Sequence, residues 1–177
     1  MEVRLALSKG FIFSVALAFV LGGGTAAARE SRPPLGLQLY CLQHKGACSQ
    51  GTATRIVATP DIVSLLKSVN RRVNAAIEPR SDIGGDRWSA NTSAGDCEDY
   101  VMTKRQHLLS KGIPAGAMQV AYTTTRSGEG HAILLVQTDV GSLVLDNLHG
   151  EVKSLDASGY KVERMSNGGL LQWVSLR

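Results

Sequence analysis

The stretch Gly95–Tyr100, which reads GDCEDY, predicts a sharp turn that leads directly into a helix. Gly95 permits the bend because it lacks a side chain. The Asp96 carboxylate can accept hydrogen bonds from the free amides of a first helical turn. Apolar residues at helical spacing follow this stretch. We therefore expect Cys97 at the N-terminus of a helix.

A cysteine in this position is a candidate nucleophile. The partial positive charge of a helix N-terminus stabilises the thiolate and lowers its pKa, and the thiolate is the form that attacks. The opposite interpretation stays open, because a free cysteine is often only a small buried residue. In addition, Asp96, Glu98 and Asp99 disfavour a thiolate unless a cation lies nearby.

The first 28 residues are typical of a secretory signal peptide. They combine a basic start, an apolar run over residues 11–21 and the small residues Thr25–Ala28 before the expected cleavage site. The apolar run is shorter than the roughly 20 residues of a membrane-spanning helix, which disfavours an anchor. The sequence thus predicts a periplasmic or secreted protein without stable membrane insertion, with residues 29–177 as a single domain.

Composition limits the partners and the redox state. The formal net charge of +4 comes without a cluster of lysine and arginine, which gives no case for nucleic-acid binding. The three cysteines are an odd number for an exported chain. An oxidising compartment would let Cys41 and Cys48 close a small disulfide loop, leaving Cys97 unpaired. Two free thiols are the alternative.

The order of elements predicts the fold class. Residues 29–35 are expected to be extended, and Thr59, Pro60 and Asp61 start an amphipathic helix that Pro79 ends. The Cys97 helix is expected to run to about Lys111. Strands are predicted over residues 117–124, 131–138, 142–146, 160–165 and 170–176. Helices followed by an antiparallel sheet indicate an α+β protein.

His131 and Asp146 are the candidate partners of the thiol. His131 starts the central strand and Asp146 ends the next one, so the carboxylate could orient the imidazole. If Thr138 pairs with Ser142, however, the two side chains point to opposite faces of the sheet. A tighter turn at Thr138-Asp139, or a bulge near Gly141, would place His131 across from Asp146. A histidine at the start of a strand is otherwise often a bystander.

Several of these segments resemble the bacterial transglutaminase-like cysteine proteinases over about residues 37–173. The segments that carry the resemblance are GDCEDY, Lys104-Arg105, Gly130-His131-Ala132 and Leu145-Asp146-Asn147, with Trp88 and the Cys41/Cys48 pair. The resemblance implies a papain/transglutaminase-like α+β fold, with N-terminal helices on an antiparallel sheet and the cysteine at a helix N-terminus. It also implies Cys97 as nucleophile, His131 as base and Asp146 as orienting acid.

The family includes periplasmic proteases that release a surface adhesin during biofilm dispersal and need calcium. The resemblance therefore implies Ca²⁺ as a cofactor, held by the acids that flank the cysteine, here Asp96 and Glu98. Carboxylate oxygens suit Ca²⁺, which takes six to eight oxygen ligands, so other groups would have to complete the site. The alternative is that both acids serve only the helix start.

The expected function is that of an exported cysteine peptidase. It would hydrolyse a peptide bond of a protein substrate, itself a surface or exported protein, through a Cys-His-Asp triad and an acyl-enzyme. Two alternatives remain. The same triad could transfer the acyl group to an amine, as a transglutaminase does, or the domain could be a calcium- or peptide-binding module without turnover.

Overall fold

The computed structural model describes residues 28–176, in which helices pack on one large antiparallel sheet. The predicted signal peptide falls almost wholly on residues 1–27 and so lies outside the described residues. Within the described part of the chain, no helix has the length and apolar character needed to cross a membrane.

The helices of residues 28–176 are α1 (Leu35–Gln43), α2 (Pro60–Ala76), α3 (Cys97–Ser110) and α4 (Leu155–Ser158). The start of α2 is as predicted: the Thr59 side chain accepts a 3.2 Å hydrogen bond from the Ile62 amide, and a proline occupies the first helical position. The helix ends at Ala76, before the predicted Pro79. Ile77 is extended there because residues 78–79 pair with residues 94–95 as a short parallel ladder.

The strands are β1 (Arg29–Ser31), β2 (Glu78–Pro79), β3 (Ala94–Gly95), β4 (Met118–Thr124), β5 (Gly130–Thr138), β6 (Gly141–Leu145), β7 (Lys153–Ser154), β8 (Arg164–Ser166) and β9 (Trp173–Ser175). The main sheet has the order β1-β9-β8-β4-β5-β6-β7, and all its pairings are antiparallel. β5 lies near the centre and is buried over most of its length. The observed architecture confirms the α+β expectation.

The two faces of the sheet are covered differently. The helices cover one face with a large apolar core that includes Leu66, Leu108 and Leu134, all of them fully buried. The opposite face carries a smaller cluster around Ile133 and Leu135, covered by the segment from Leu155 to Met165. The larger core fixes α3 against the sheet, which positions Cys97.

The ends of the domain differ from the sequence prediction. Residues 35–43 form α1, whereas a helix was not expected there, because leucines lie on its exposed as well as its buried side. The C-terminal strands β8 and β9 are shorter than predicted. Residues 160–163 lie outside the ladder, and the Tyr160 hydroxyl instead bonds the Asp146 side chain.

The disulfide prediction is confirmed. Cys41 near the end of α1 is bonded to Cys48, across a separation of seven residues. The bond ties α1 to the short 3-10 helix Lys45–Cys48. Within residues 28–176, Cys97 is the free cysteine.

Candidate active site

Cys97 is the first residue of α3, as predicted. Gly95 is required two residues earlier, because a Cβ there would overlap the Asp99 carboxylate. That carboxylate accepts a 2.7 Å hydrogen bond from the Ser89 amide, which fastens the preceding loop to the helix. Asp96 occupies the N-cap position, but its side chain makes no capping hydrogen bond. The expected capping role of Asp96 is therefore wrong.

The Cys97 thiol has two hydrogen-bond partners, and they shift its pKa in opposite directions. The Cys97 Sγ donates a 2.8 Å hydrogen bond to Oε2 of Glu98, and it accepts a 3.4 Å bond from the Ala132 amide. Burial and then the Glu98 charge raise the pKa of Cys97, and the Ala132 amide only partly opposes them. The thiol is therefore neutral in this arrangement. Burial and the Glu98 charge outweigh the lowering of the Cys97 pKa that was expected from the helix N-terminus.

The imidazole of His131 is bound to a carboxylate. Its Nε2 lies 2.8 Å from Oδ1 of Asp146, and both side chains are buried. The other carboxylate oxygen of Asp146 accepts a 2.6 Å bond from the Tyr160 hydroxyl, and Oδ1 also accepts from the Leu148 amide at 3.0 Å. Burial raises the pKa of Asp146, but these hydrogen bonds outweigh it, so the net shift is downward. Asp146 is therefore held as a carboxylate.

The register of the β5–β6 hairpin brings this pair together. Thr138 pairs with Gly141 rather than Ser142, so the turn contains only Asp139 and Val140. When this pairing is extended by one residue beyond Leu134 and Leu145, Asp146 falls opposite Ile133, two residues after His131. Because every second residue of a strand shares a face, His131 and Asp146 lie on the same side of the sheet. The turn thus lies one residue later than the predicted turn at Thr138-Asp139, and Asp146 is not directly opposite His131 but shares its face.

The Cys97 sulfur lies beside the backbone next to His131 but is not hydrogen-bonded to the imidazole. The Cys97 sulfur contacts the amide of Ala132, the residue directly after His131. Among residues 28–176, no hydrogen bond joins the Cys97 thiol to His131. With Nε2 held by Asp146, Nδ1 is the ring nitrogen left for the thiol.

Carboxylates surround the start of α3 and act on one another. They are Asp82, Asp86, Asp96, Glu98 and Asp99. Burial, and then the Glu98 charge, raise the pKa of Asp96 to about 7, and burial raises that of Asp99 to about 6. The Oδ1 atom of Asp96 is buried and has no hydrogen-bond partner in the described chain.

This donor set fits a hard divalent cation in its chemistry, because Ca²⁺ prefers carboxylate oxygens and would offset their mutual repulsion. Asp96 is the better-placed ligand, since Glu98 already accepts bonds from Cys97 and from the Tyr122 hydroxyl at 2.9 Å. In the part of the chain that the structure describes, no group of three histidine, cysteine or acidic side chains is arranged to hold a metal.

Two functional candidates were missed by sequence reasoning. The sequence predicts a strand at Tyr160, and no local pattern links this residue to Asp146, fourteen residues earlier. Asn74 of α2 donates a 2.8 Å hydrogen bond to the Asp146 carbonyl, which anchors the end of β6 to the helix layer. Its position on the core-facing side of a polar helix was the only available signal.

Lys104 carries part of the resemblance in the sequence, but no sequence pattern predicts its environment. It is fully buried on α3, and within residues 28–176 its Nζ has no hydrogen-bond partner. Burial lowers the pKa of Lys104 to about 7, although the Asp146 charge opposes this. Trp88, another residue that carries the resemblance, is also buried, and it packs edge-on against Tyr122.

Solved structures share this fold. Calcium-bound LapG from Legionella pneumophila is 22% identical with a TM-score of 0.55, over 63% of this chain and 67% of that one. EGTA-treated LapG from the same organism is 19% identical with a TM-score of 0.55, over 82% and 88% of the two chains. No curated protein matches the sequence significantly.

A family model gives the stronger assignment. The model of the bacterial transglutaminase-like cysteine proteinases (BTLCP) matches residues 27–177, which is most of the chain. This agrees with the free cysteine at the start of α3 and with the α+β fold. The chain therefore belongs to the bacterial transglutaminase-like cysteine proteinases and is a cysteine peptidase of that family.

Proposed function

We propose that the chain is an exported peptidase that hydrolyses a peptide bond of a protein substrate through Cys97, His131 and Asp146. The observation that carries this proposal is the buried 2.8 Å contact between His131 and Asp146, one residue from the Ala132 amide that touches the sulfur. The proposed base is held by the proposed orienting acid, and the proposed nucleophile contacts the backbone one residue from the base, which supports the triad.

The first half of the reaction forms an acyl-enzyme. His131 takes the Cys97 proton, and the sulfur attacks the carbonyl carbon of the substrate. The tetrahedral intermediate collapses, the carbon–nitrogen bond breaks, and His131 returns the proton to the leaving amine. In the second half, His131 removes a proton from water, the hydroxide attacks the thioester, and Cys97 is released as a thiol with a carboxylic acid product.

Asp146 supports both halves without exchanging a proton. Its ionised carboxylate holds Nε2 of His131, which leaves Nδ1 for the thiol and stabilises the imidazolium that forms. Tyr160 and the Leu148 amide hold the carboxylate in turn. The thiol must rotate away from Glu98 to meet the imidazole, because its present hydrogen bond is to Oε2 of Glu98.

We also propose that Ca²⁺ binds to the acids at the start of α3. Asp96 and Glu98 would hold the ion, with further oxygens from elsewhere. Bound Ca²⁺ would supply positive charge that offsets the carboxylates and favours the thiolate. The unpartnered Asp96 Oδ1 and the calcium-bound form of the LapG neighbour support this assignment.

A non-catalytic calcium- or peptide-binding module is the second candidate. The state of the Cys97 thiol favours it: the thiol is hydrogen-bonded to Glu98, and its pKa is raised.

The test compares the exported proteins of cells carrying the wild-type chain with those of cells carrying Cys97→Ala. We expect at least one exported or surface protein to remain uncut in the variant, and its new N-terminus to identify the cleavage site. Identical fragment patterns in both strains would favour the binding module. N-terminal sequencing of the recovered wild-type chain checks export, with Arg29 as the expected first residue.

A further inference from the structure

The carboxylate of Glu98 fills the space between the Cys97 sulfur and the hydroxyl of Tyr122. Its Oε2 accepts the 2.8 Å hydrogen bond from the sulfur, and its Oε1 accepts the 2.9 Å bond from the Tyr122 hydroxyl. A single carboxylate thus spans the distance between the nucleophile and a phenol. All three residues are partly exposed, so this place lies at the surface of the domain.

The register of the sheet places Tyr122 beside the sulfur independently of Glu98. Tyr122 of β4 is paired with Ala132 of β5, whose amide donates the 3.4 Å bond to the sulfur. Directly paired residues share a face and have Cβ atoms about 5 Å apart, and both residues belong to the core on the face that the helices cover. Tyr122 therefore lies on the same side of the sheet as α3, next to the backbone that contacts the nucleophile.

Three side chains hold the Tyr122 ring in place. Trp88 packs edge-on against it with 6.3 Å between ring centroids, and the centroid of Trp173 lies 5.7 Å away. The guanidinium of Arg164 lies over the ring, 4.7 Å from its centroid. The direction of the hydroxyl is therefore set before a substrate arrives. A donor fixed in advance costs no reorganisation when negative charge develops on a substrate oxygen, which is what the stabilisation of an oxyanion requires.

We propose that the Tyr122 hydroxyl donates a hydrogen bond to the oxygen of the scissile carbonyl and stabilises the oxyanion of the tetrahedral intermediate. The inference rests on the proposed peptidase function and adds a catalytic residue to it. The substrate carbonyl takes the place of the Glu98 carboxylate, with its carbon at the sulfur and its oxygen at the hydroxyl. Glu98 then no longer lies against the thiol, as the approach of the thiol to His131 also requires. When the carbon–sulfur bond forms, the carbonyl electron pair moves onto the oxygen, and the phenol, which is protonated at neutral pH, keeps its proton.

The test uses the calcium-loaded full chain and a synthetic peptide that spans a cut made by the wild type and not by Cys97→Ala. We expect Tyr122→Phe to lower kcat about a hundredfold, as the loss of one oxyanion donor does. KM should stay unchanged, because the lost interaction is made only in the transition state. The rate at which iodoacetamide alkylates Cys97 is the second readout. It should equal the wild-type rate in Tyr122→Phe, because the displacement of iodide places no negative charge on a carbonyl oxygen.

Tyr100→Phe is the matched control, because it also removes a tyrosine hydroxyl that donates a hydrogen bond, here of 2.6 Å to the Ile77 carbonyl. It should leave kcat, KM and the alkylation rate unchanged. A wild-type kcat in Tyr122→Phe, with or without a raised KM, would overturn the role of Tyr122 alone. An equal fall in kcat and in alkylation rate would also overturn it, because the hydroxyl would then support the thiol rather than the oxyanion. If the wild type and Cys97→Ala make the same cuts, the proposed function fails and the role of Tyr122 fails with it.

Discussion

The Tyr160 hydroxyl donates a 2.6 Å hydrogen bond to Oδ2 of Asp146. This contact joins the segment after α4 to the end of β6 and leaves Oδ1 of the carboxylate for His131. The carboxylate is thus held from both sides, with its direction set by groups that do not react. The orientation of His131, the proposed base, therefore depends on Tyr160, which is not hydrogen-bonded to His131 itself.

Tyr160→Phe should lower kcat/KM by about tenfold, because a hydrogen bond to a buried charged group is lost. Loss of that bond should also raise the pKa of Asp146 and weaken its hold on His131. The measurement is the initial rate on a peptide that the wild type cleaves. Tyr40→Phe is the control, since Tyr40 lies in the core away from this site. Unchanged kcat/KM in Tyr160→Phe would remove the supporting role.

Glu98→Gln should make Cys97 more reactive. Burial is the larger cause of the raised pKa and stays in place, but the negative charge of Glu98 is removed. We expect alkylation by iodoacetamide at pH 7 in calcium-free buffer to be slow in the wild type and about tenfold faster in the variant, the effect of roughly one pKa unit. Glu151→Gln, on the exposed surface, should alkylate as slowly as the wild type. Equal rates in all three proteins would contradict the account of the thiol.

Calcium should raise the melting temperature by roughly 5 °C at a concentration far above its Kd. Asp96→Asn should abolish this shift, and it should also raise the melting temperature without calcium, because mutual repulsion among the acids is relieved. Asp61→Asn is the matched control: it is a first-turn acid of α2 that is exposed to solvent. A calcium shift retained in Asp96→Asn would exclude this residue as a ligand.

Lys104 should make stability rise with pH. In the folded chain its pKa is lowered to about 7 by burial, whereas in the unfolded chain it is about 10.4. Between these values the unfolded state holds more protons, so the free energy of unfolding increases with pH in that window. The penalty for the buried charge is fully present below pH 7 and is relieved as pH rises.

Lys104→Met removes this dependence. The stability of the wild type relative to the variant should increase from pH 6.5 to pH 9.5, as followed by urea unfolding. Lys67→Met, at an exposed position of α2, should differ from the wild type by a constant amount. A difference between wild type and Lys104→Met that is flat or falls with pH would show that the buried ammonium is not penalised.

The parts of the fold with a strong local signal were predictable. Thr59 and Pro60 mark the start of α2, and Cys97 begins α3 as the turn sequence indicated. The Cys41–Cys48 bond followed from the cysteine count and spacing. In each case the determinant lies within a few residues of the feature it sets.

The remaining features depend on contacts between distant segments. The register of the β5–β6 hairpin depends on whether Gly141 or Ser142 pairs with Thr138. The pattern of apolar residues does not distinguish these two registers, because β5 is buried on both faces. The tie between Tyr160 and Asp146, and the burial of Lys104, arise only when helix and sheet pack together. The raised pKa of Cys97 likewise reflects burial that a sequence does not state.

The triad is tested most directly by cleavage of a peptide library, prepared by trypsin digestion of a cell lysate with its amines blocked. The purified, calcium-loaded proteins are the wild type, Cys97→Ala, His131→Ala and Asp146→Asn, with folding checked by circular dichroism. We expect no new N-termini from Cys97→Ala or His131→Ala. From Asp146→Asn we expect the wild-type cuts at a rate at least about tenfold lower, because only the orientation and tautomer of the imidazole are impaired. A folded His131→Ala that makes the same cuts as fast as the wild type would contradict the proposed triad.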